Sequence, residues 1–220
     1  MLNTLTFTSS ILWTVPLDWS NLNTITVIGG GQGGGSYYRW SVDSGGRTRF
    51  NYGYGGAGAG YVSVTNLSVL VPGQTVSIQV GFGGAGSPDA GNSGAGPGSP
   101  GGTSLFGSYL QATGGTTRVQ FPFLQPGTGS IVNLSSTSYI NGVTSTGSGG
   151  MRFIAGDAGI GGNSGRPGFG SYGNGGNSQN FYNAHRGFGN VGVAAQRGQQ
   201  GVVVISYTPS GTHQPSVWIS

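Results

Sequence analysis

Glycine restricts the structures open to this chain more than any other residue, because it occupies 49 of the 220 positions. That share is about three times the ~7% found in average proteins. Glycine opposes α-helices, and the strong helix formers Lys and Glu do not occur, since all eight basic residues are Arg and all four acidic residues are Asp. We therefore predict an all-β fold with little or no α-helix.

Disordered and collagen-like chains are the two other outcomes of a glycine-rich composition. Disordered chains combine low hydrophobicity with high charge, whereas 35% of this chain is hydrophobic and only 5% is charged. Collagen requires Gly at every third position throughout and abundant Pro. Here the glycine spacing breaks repeatedly and only ten prolines occur. The composition therefore favours a folded β protein, with ten Phe, ten Tyr and four Trp available for its core.

Several segments have the alternating or continuous β-forming pattern that is typical of strands. They are residues 4–9, 24–28, 60–64, 76–80 and 201–207, with 103–113 as a strand pair or a bent strand. The run from Val202 to Ile205 is continuously apolar, which predicts a strand buried on both faces. Between 60–64 and 76–80 lies Val71-Pro72-Gly73-Gln74, in which Pro presets φ and Gly supplies the positive φ of a turn. This turn predicts a hairpin that joins the two segments.

The tracts between these segments repeat glycine at every third residue, most regularly over a main tract from about 156 to 201. Gly156, Gly159, Gly162, Gly165 and Gly168 fall three apart, and the period resumes in a shifted register at Gly170, Gly173 and Gly176. It repeats at Gly189, Gly192, Gly198 and Gly201, with Ala195 in the one gap. A polyproline II helix has three residues per turn, so this spacing leaves one bare face on which helices can pack through backbone groups. We predict packed polyglycine II helices, and mobile loops are the alternative.

Nine motifs follow one another in a specific order along residues 5–207. They are Phe7, Trp13-Thr14-Val15-Pro16, the strand 25–28 running into Gly29-Gly30-Gly31-Gln32-Gly33-Gly34-Gly35, the glycines of 55–60 before Tyr61-Val62-Ser63-Val64, Pro72-Gly73-Gln74-Thr75, Ile78-Gln79-Val80-Gly81-Phe82-Gly83-Gly84-Ala85-Gly86, Gly101-Gly102-Thr103-Ser104-Leu105-Phe106-Gly107, Ala112-Thr113-Gly114-Gly115, and Gly201-Val202-Val203-Val204-Ile205-Ser206-Tyr207. Together they resemble the glycine-rich domain of many bacteriophage tail proteins. A single glycine block is a weak signal, and the order is what makes the resemblance specific.

The resemblance implies a jelly-roll β-sandwich with inserted glycine tracts. It is similar to the glycine-rich, tumour-necrosis-factor-like region of the anaplastic lymphoma kinase ectodomain, where a β-sandwich carries polyglycine helices. Adhesins of some T-even-type phages use a related sandwich to display variable loops. Residues 1–207 are thus expected to form one domain, followed by a tail at 208–220. Residues 116–150, which are poorer in glycine than the family pattern, are interpreted as an insertion.

The side chains needed for catalysis are nearly absent. His185 and His213 are the two histidines, and the four Asp residues, at 18, 43, 89 and 157, show no paired spacing. Gly29-Gly30-Gly31 follows a strand as in a dinucleotide-binding loop, but that motif requires a helix immediately after it, and Tyr37-Tyr38-Arg39-Trp40 among glycines does not form one. With no Cys either, we predict that the protein is not an enzyme and holds no metal or cofactor.

Charge and hydropathy exclude further classes of partner. The net charge of +4 comes from scattered Arg, without the Lys/Arg cluster typical of nucleic-acid binding. The first residues lack the basic and apolar regions of a signal peptide, and no apolar run approaches the ~20 residues of a membrane span. We expect no nucleic-acid partner, no signal peptide and no membrane insertion.

Aromatic and Arg residues are concentrated in two glycine-rich segments, 37–54 and 166–188. Such side chains are enriched at interfaces, and flat rings also stack on sugars. They form either a surface that contacts a receptor or partner, or a layer that packs inside the protein or between subunits. The candidate contact residues are Tyr37, Tyr38, Arg39, Trp40, Arg49, Phe50, Tyr52, Tyr54, Phe169, Tyr172, Phe181, Tyr182, His185 and Arg186.

These features lead us to expect a virion protein on the outside of the tail or capsid, most consistent with a tail-associated receptor-binding or tail-tip protein. The alternative is a capsid decoration protein. An ice-binding protein ranks below both, because Asp157, Ile160, Asn163 and Arg166 do not make a flat repetitive face. Expected partners are other virion proteins, a host glycan or outer-membrane receptor, and further copies in a homo-oligomer, with a trimer favoured. The apolar Val217, Trp218 and Ile219 of the tail are assigned to assembly, and a frayed terminus is the alternative.

Overall fold

The computed structural model describes residues 1–35, 41–42, 48–49, 53–54, 56–87, 98–117, 124–147, 152–153, 172 and 195–211. These residues form β-strands and a 3-10 turn at Ser136–Ser138, with no α-helix among them, so the all-β prediction is confirmed. The strands are β1 Asn3–Phe7, β2 Ile11–Thr14, β3 Asn23–Ile28, β4 Ser41–Val42, β5 Thr48–Arg49, β6 Gly53–Tyr54, β7 Tyr61–Thr65, β8 Thr75–Gln79, β9 Ser104–Phe106, β10 Leu110–Ala112, β11 Thr116–Thr117, β12 Leu124–Gln125, β13 Gly129–Ile131, β14 Asn141–Ser145, β15 Arg152–Phe153 and β16 Val202–Tyr207.

Ten of these strands build two five-stranded antiparallel sheets. The first sheet has the order β1-β16-β3-β7-β14, and the second has the order β13-β10-β9-β8-β2. The remaining strands form two-stranded ribbons, β4 with β5, β6 with β15 and β11 with β12. In the first sheet, Val27 of β3 lies opposite Val203 of β16 on one side and Val62 of β7 on the other.

One hydrophobic core joins the two sheets. Alternate residues of the first sheet point into it, including Ile25, Val27, Val62, Val64, Val203 and Ile205, and the second sheet contributes Trp13, Val76, Ile78, Phe106 and Leu110. Burying side chains of this size stabilises the fold by about 1.5–3 kcal/mol each. Two antiparallel sheets that face each other across such a core are consistent with a β-sandwich.

Strand β16 is buried on both faces, as its continuous apolar run predicts. Val203 and Ile205 lie in the core between the sheets. Val202 and Val204 point to the other face, where they form a second buried cluster with Ile28. Hydrophobic side chains therefore cover both faces of this strand.

The hairpin predicted between residues 60–64 and 76–80 is wrong, although its turn is present. The Gln74 N–H donates to Val71 O at 3.0 Å, and Gly73 has φ 82°, as the turn prediction requires. However, β7 belongs to the first sheet and β8 to the second. The connection crosses from one sheet to the other because Leu67 and Leu70 are buried between them.

Strand pairing also places segment 103–113 and part of the predicted insertion at 116–150. The predicted strand pair at 103–113 is confirmed, because β9 and β10 form an antiparallel hairpin with Leu110 opposite Phe106. The segment interpreted as an insertion contributes β13 and β14, which are edge strands of the second and first sheets respectively. Phe121-Pro122-Phe123 of that segment lies outside the described residues.

The strands define two ends of the molecule. At one end, Ile28 pairs with both Tyr61 and Val202, so glycine tracts enter or leave three neighbouring strands there. We call this the glycine end. At the opposite end, which we call the far end, Asn23 pairs with Tyr207 and Asn141 pairs with Thr65.

Candidate partner-contact sites

The glycine tracts at the glycine end are hydrogen bonded to one another with a three-residue period. We call residues 29–35, 56–60, 81–87, 98–102, 113–115 and 195–201 the glycine bundle. The six consecutive backbone N–H groups of residues 29–34 each donate to a carbonyl of another tract, at 2.8 to 3.2 Å. In chain order, the acceptors are the carbonyls of Gly60, Gly102, Gln199, Ala57, Ser99 and Gln196. Successive residues thus bond to three different tracts and return to the first after three residues.

The same period appears between the outer tracts. The N–H groups of Ala195, Gly198 and Gly201 donate to the carbonyls of Ser87, Gly84 and Gly81, each step being three residues in each tract. Burial follows this register, because Ala195, Gly198 and Gly201 are buried while the four residues between them are exposed. In residues 195–201, one position in three therefore faces the bundle, and the other two face outward.

Glycine is required at the inward positions because the tracts approach through their backbones. A Cβ built on Gly84 overlaps Ser99 O and lies 2.7 Å from Pro100 O and 2.8 Å from Gly33 N. Real Cβ atoms do not approach other atoms more closely than 3.0 Å. A side chain at this position therefore forces two tracts apart.

Gln32 is the non-glycine residue inside the first tract, and it cross-links two others. Its side chain is 1% exposed. Nε2 donates to Gly98 O at 3.2 Å, and Oε1 accepts from the Ala57 N–H at 3.1 Å. The amide thus satisfies two buried backbone groups that have no other route to water, which stabilises the bundle.

Three inserted segments begin or end at one place on the bundle. The N–H of Gly34 donates to Gln196 O, that of Ser87 to Gly34 O and that of Ala195 to Ser87 O. Cβ atoms built on Gly56 and Gly98 both meet backbone atoms of residue 33, so these glycines lie at the same place. Segments 36–55 and 88–97 both leave the bundle and return to it at this place. Segment 148–194 returns to the bundle there.

Most of the predicted contact residues lie outside the described residues, inside two of these inserted segments. They are Tyr37, Tyr38, Arg39, Trp40, Phe50, Tyr52, Phe169, Phe181, Tyr182, His185 and Arg186. Gly162 and Gly165 of the main glycine tract, and Val217, Trp218 and Ile219 of the tail, also lie outside them. Their predicted roles stay predictions.

Three of the predicted contact residues are within the described part of the chain. Arg49 pairs with Ser41 across the β4–β5 ribbon, and Tyr54 pairs with Arg152 across β6 and β15. The second ribbon joins residues 53–54 to residues 152–153 through their backbones. Tyr172 is partly buried against the cluster of Ile28, Val202 and Val204. For this one residue, the structure agrees with the alternative that the side chain packs inside the protein.

Sequence reasoning missed a pocket at the far end. It has a volume of about 250 Å³ and is lined by Asn21, Leu22, Asn66, Ser68, Thr137, Tyr139 and Ile140. Leu22 and Ile140 are exposed by 64% and 79%. These residues come from three separate loops, so no pattern along the chain indicates that they meet.

The chemistry of the described residues offers no metal centre. Among these residues, no group of three or more His, Cys, Asp or Glu side chains is placed to hold an ion. Arg197 lies against the bundle, where its Nε–H donates to Gly83 O at 3.0 Å.

Neither a scan against protein-family models nor a search of curated proteins finds a match to this chain. Among the residues that the structure describes, none belongs to a helix with the length and apolar character needed to cross a membrane.

Proposed function

We propose that this protein is a bacteriophage virion protein, a tail-associated receptor-binding or tail-tip component. The observation that carries the proposal is the convergence of three inserted segments on one rigid glycine bundle. A scaffold with converging insertions is how many folds present binding residues, because the scaffold holds loop ends in place while the loops vary. The aromatic and Arg residues predicted to contact partners lie in two of those insertions.

The bundle is proposed to consist of polyglycine II helices on a sandwich of jelly-roll type. Hydrogen bonds that return to the same neighbour after three residues are what a helix with three residues per turn requires. The burial of every third residue in 195–201 supports the same geometry. Packing through backbone groups removes the freedom of a glycine chain, so the bundle can hold the insertions at fixed positions.

Recognition is proposed to use aromatic stacking together with Arg pairing. Tyr and Trp offer large flat surfaces at modest entropy cost, and Arg pairs bidentately with carboxylate or phosphate groups. Bacterial surface polymers carry sugars and such acidic groups. The expected ligand is therefore a host surface glycan or receptor, with other virion proteins and further copies of the chain as assembly partners.

A binding assay on host cells tests the proposal. We expect Trp40→Ala and Arg39→Ala each to weaken binding of the purified protein about 30-fold or more, as removal of an interface anchor does. Leu12→Ala is the matched control, since Leu12 is 71% exposed on edge strand β2 and lies outside the insertions. It should bind as the parent does.

A parallel pull-down on purified capsids separates the two virion roles. A tail protein should bind host cells and ignore capsids. Binding to capsids alone would overturn the tail assignment and favour the capsid decoration protein. Binding to neither, with an intact fold, would overturn both.

A further inference from the structure

Hydrogen bonds connect the loops that line the pocket at the far end. The buried Asn23 side chain donates from Nδ2 to Leu67 O at 3.0 Å, and its Oδ1 accepts from the Leu67 N–H at 3.0 Å. The Ser68 N–H donates to Ser138 O at 2.9 Å, which joins the loops on the two sides of the pocket. These hydrogen bonds connect the loops that carry the walls of the pocket.

The lining of this pocket matches an uncharged peptide. Leu22, Tyr139 and Ile140 provide apolar surface, and no charged residue lines the pocket. Within the described part of the chain, the side-chain amides of Asn21 and Asn66 make no hydrogen bond. Amide groups of this kind can pair with both the N–H and the C=O of a peptide backbone. The volume of about 250 Å³ is slightly below the ~300–1,000 Å³ of small-molecule sites, which suits one large side chain.

The chain itself passes beside this pocket at its last described residues. The Thr208 N–H donates to the carbonyl of Leu22, a lining residue, at 2.9 Å, and the Ser210 N–H donates to Asp18 O at 2.7 Å. Nine residues of the sequence follow Gly211, with no Asp, Glu, Lys or Arg among them and with Val217-Trp218-Ile219 as their apolar part. Seven residues from Gly211 to Trp218 can span about 20 Å, more than enough to return to Leu22.

We propose that the far-end pocket binds residues 212–220 of the same chain, with Trp218 seated between Leu22 and Ile140. The segment covers two exposed aliphatic side chains, which would otherwise remain in water. This docking is independent of the proposed virion function, because it uses only the end opposite the glycine bundle. A second copy of the chain is the other occupant to be tested.

Disulfide trapping tests the docking. Because the sequence has no native Cys, the two introduced thiols are the only ones that can react. In the full chain, Ile140→Cys is combined with Ile219→Cys and the thiols are oxidised with copper phenanthroline. Trypsin cuts after Arg118, Arg152 and Arg197, so the linked product joins peptide 119–152 to peptide 198–220 in a mass spectrum. We expect this pair to form, within one chain, at a rate about tenfold above that of an undocked tether.

Leu17→Cys with Ile219→Cys provides the matched control. Leu17 is 85% exposed and does not line the pocket. It adjoins Asp18, whose carbonyl accepts from the Ser210 N–H, so an undocked segment leaves the fold close to it. Equal rates for the two pairs, or a faster reaction at Leu17, would overturn the proposal. Disulfide-linked dimers in place of the intramolecular product would assign the pocket to a second copy. Leu22→Cys replaces Ile140→Cys as the anchor if the first variant unfolds.

Discussion

Substituting Ala for Gly84 should destabilise the protein strongly, because this glycine lies where three backbone tracts meet. Its N–H donates to Gly31 O at 2.8 Å, and its carbonyl accepts from the Gly198 N–H at 2.9 Å. A Cβ here overlaps Ser99 O and comes within 2.8 Å of Gly33 N. Because these neighbours are backbone atoms, no side-chain rotation can relieve the overlap.

The cost can be worked from these contacts. Overpacking costs about 1–3 kcal/mol, and two strained hydrogen bonds add about 1 kcal/mol each. Gly84→Ala is thus expected to lower the free energy of unfolding by about 3–5 kcal/mol. For a chain of this size that shift lowers Tm by about 10 °C, since each kcal/mol corresponds to roughly 2–4 °C.

Gly211→Ala is the matched control, measured by calorimetry and by urea unfolding. A Cβ on Gly211 meets nothing within 4 Å. The loss of glycine freedom in the unfolded chain stabilises both variants by about 0.4–1 kcal/mol, so the control should be neutral or slightly stabilised. If the two variants have equal stability, the glycine bundle is not packed through its backbones and the reasoning fails.

Three further predictions concern the bundle, the core and the secondary structure. Gln32→Ala removes the partners of the Ala57 N–H and Gly98 C=O and should cost about 3 kcal/mol, at about 1–3 kcal/mol per orphaned group, whereas the exposed Gln199→Ala should cost nothing measurable in urea unfolding. Phe106→Ala should cost about 3–5 kcal/mol because the ring is fully buried, and Phe82→Ala, whose ring is 75% exposed, should stay within about 0.5 kcal/mol in calorimetry. If the two Gln variants, or the two Phe variants, lost equal stability, that result would contradict the burial assigned to those residues. Circular dichroism should show under ~10% α-helix, and strong double minima at the helical wavelengths would contradict the all-β fold.

The sequence alone predicted the fold class and seven of the ten strands of the two main sheets, namely β1, β3, β7, β8, β9, β10 and β16. Alternation such as Val76, Ile78 and Val80 is a local property of the chain, because successive side chains of a strand point to opposite faces. The continuous run at Val202–Ile205 likewise predicted burial on both faces. The abundance of Gly and the absence of Lys and Glu disfavoured the helical fold classes.

The candidate contact residues were also named from composition, but their arrangement was not accessible to sequence reasoning. The sequence shows that aromatic and Arg residues lie between glycine tracts. It does not show that Gly34, Ser87 and Ala195 are hydrogen-bonded neighbours at which three insertions meet. The pairing of tracts depends on contacts between residues far apart in the chain, which no local period encodes.

Tertiary structure also decided how the strands connect and what the far end offers. A Pro-Gly turn determines local backbone direction, yet whether it closes a hairpin or crosses between sheets depended on the burial of Leu67 and Leu70. Leu22 and Ile140 look like unremarkable loop residues in the sequence, and they become one pocket only when loops 118 positions apart are brought together. Local periodicity specifies which faces are buried, whereas the partner of each face is settled by the packing of the whole chain.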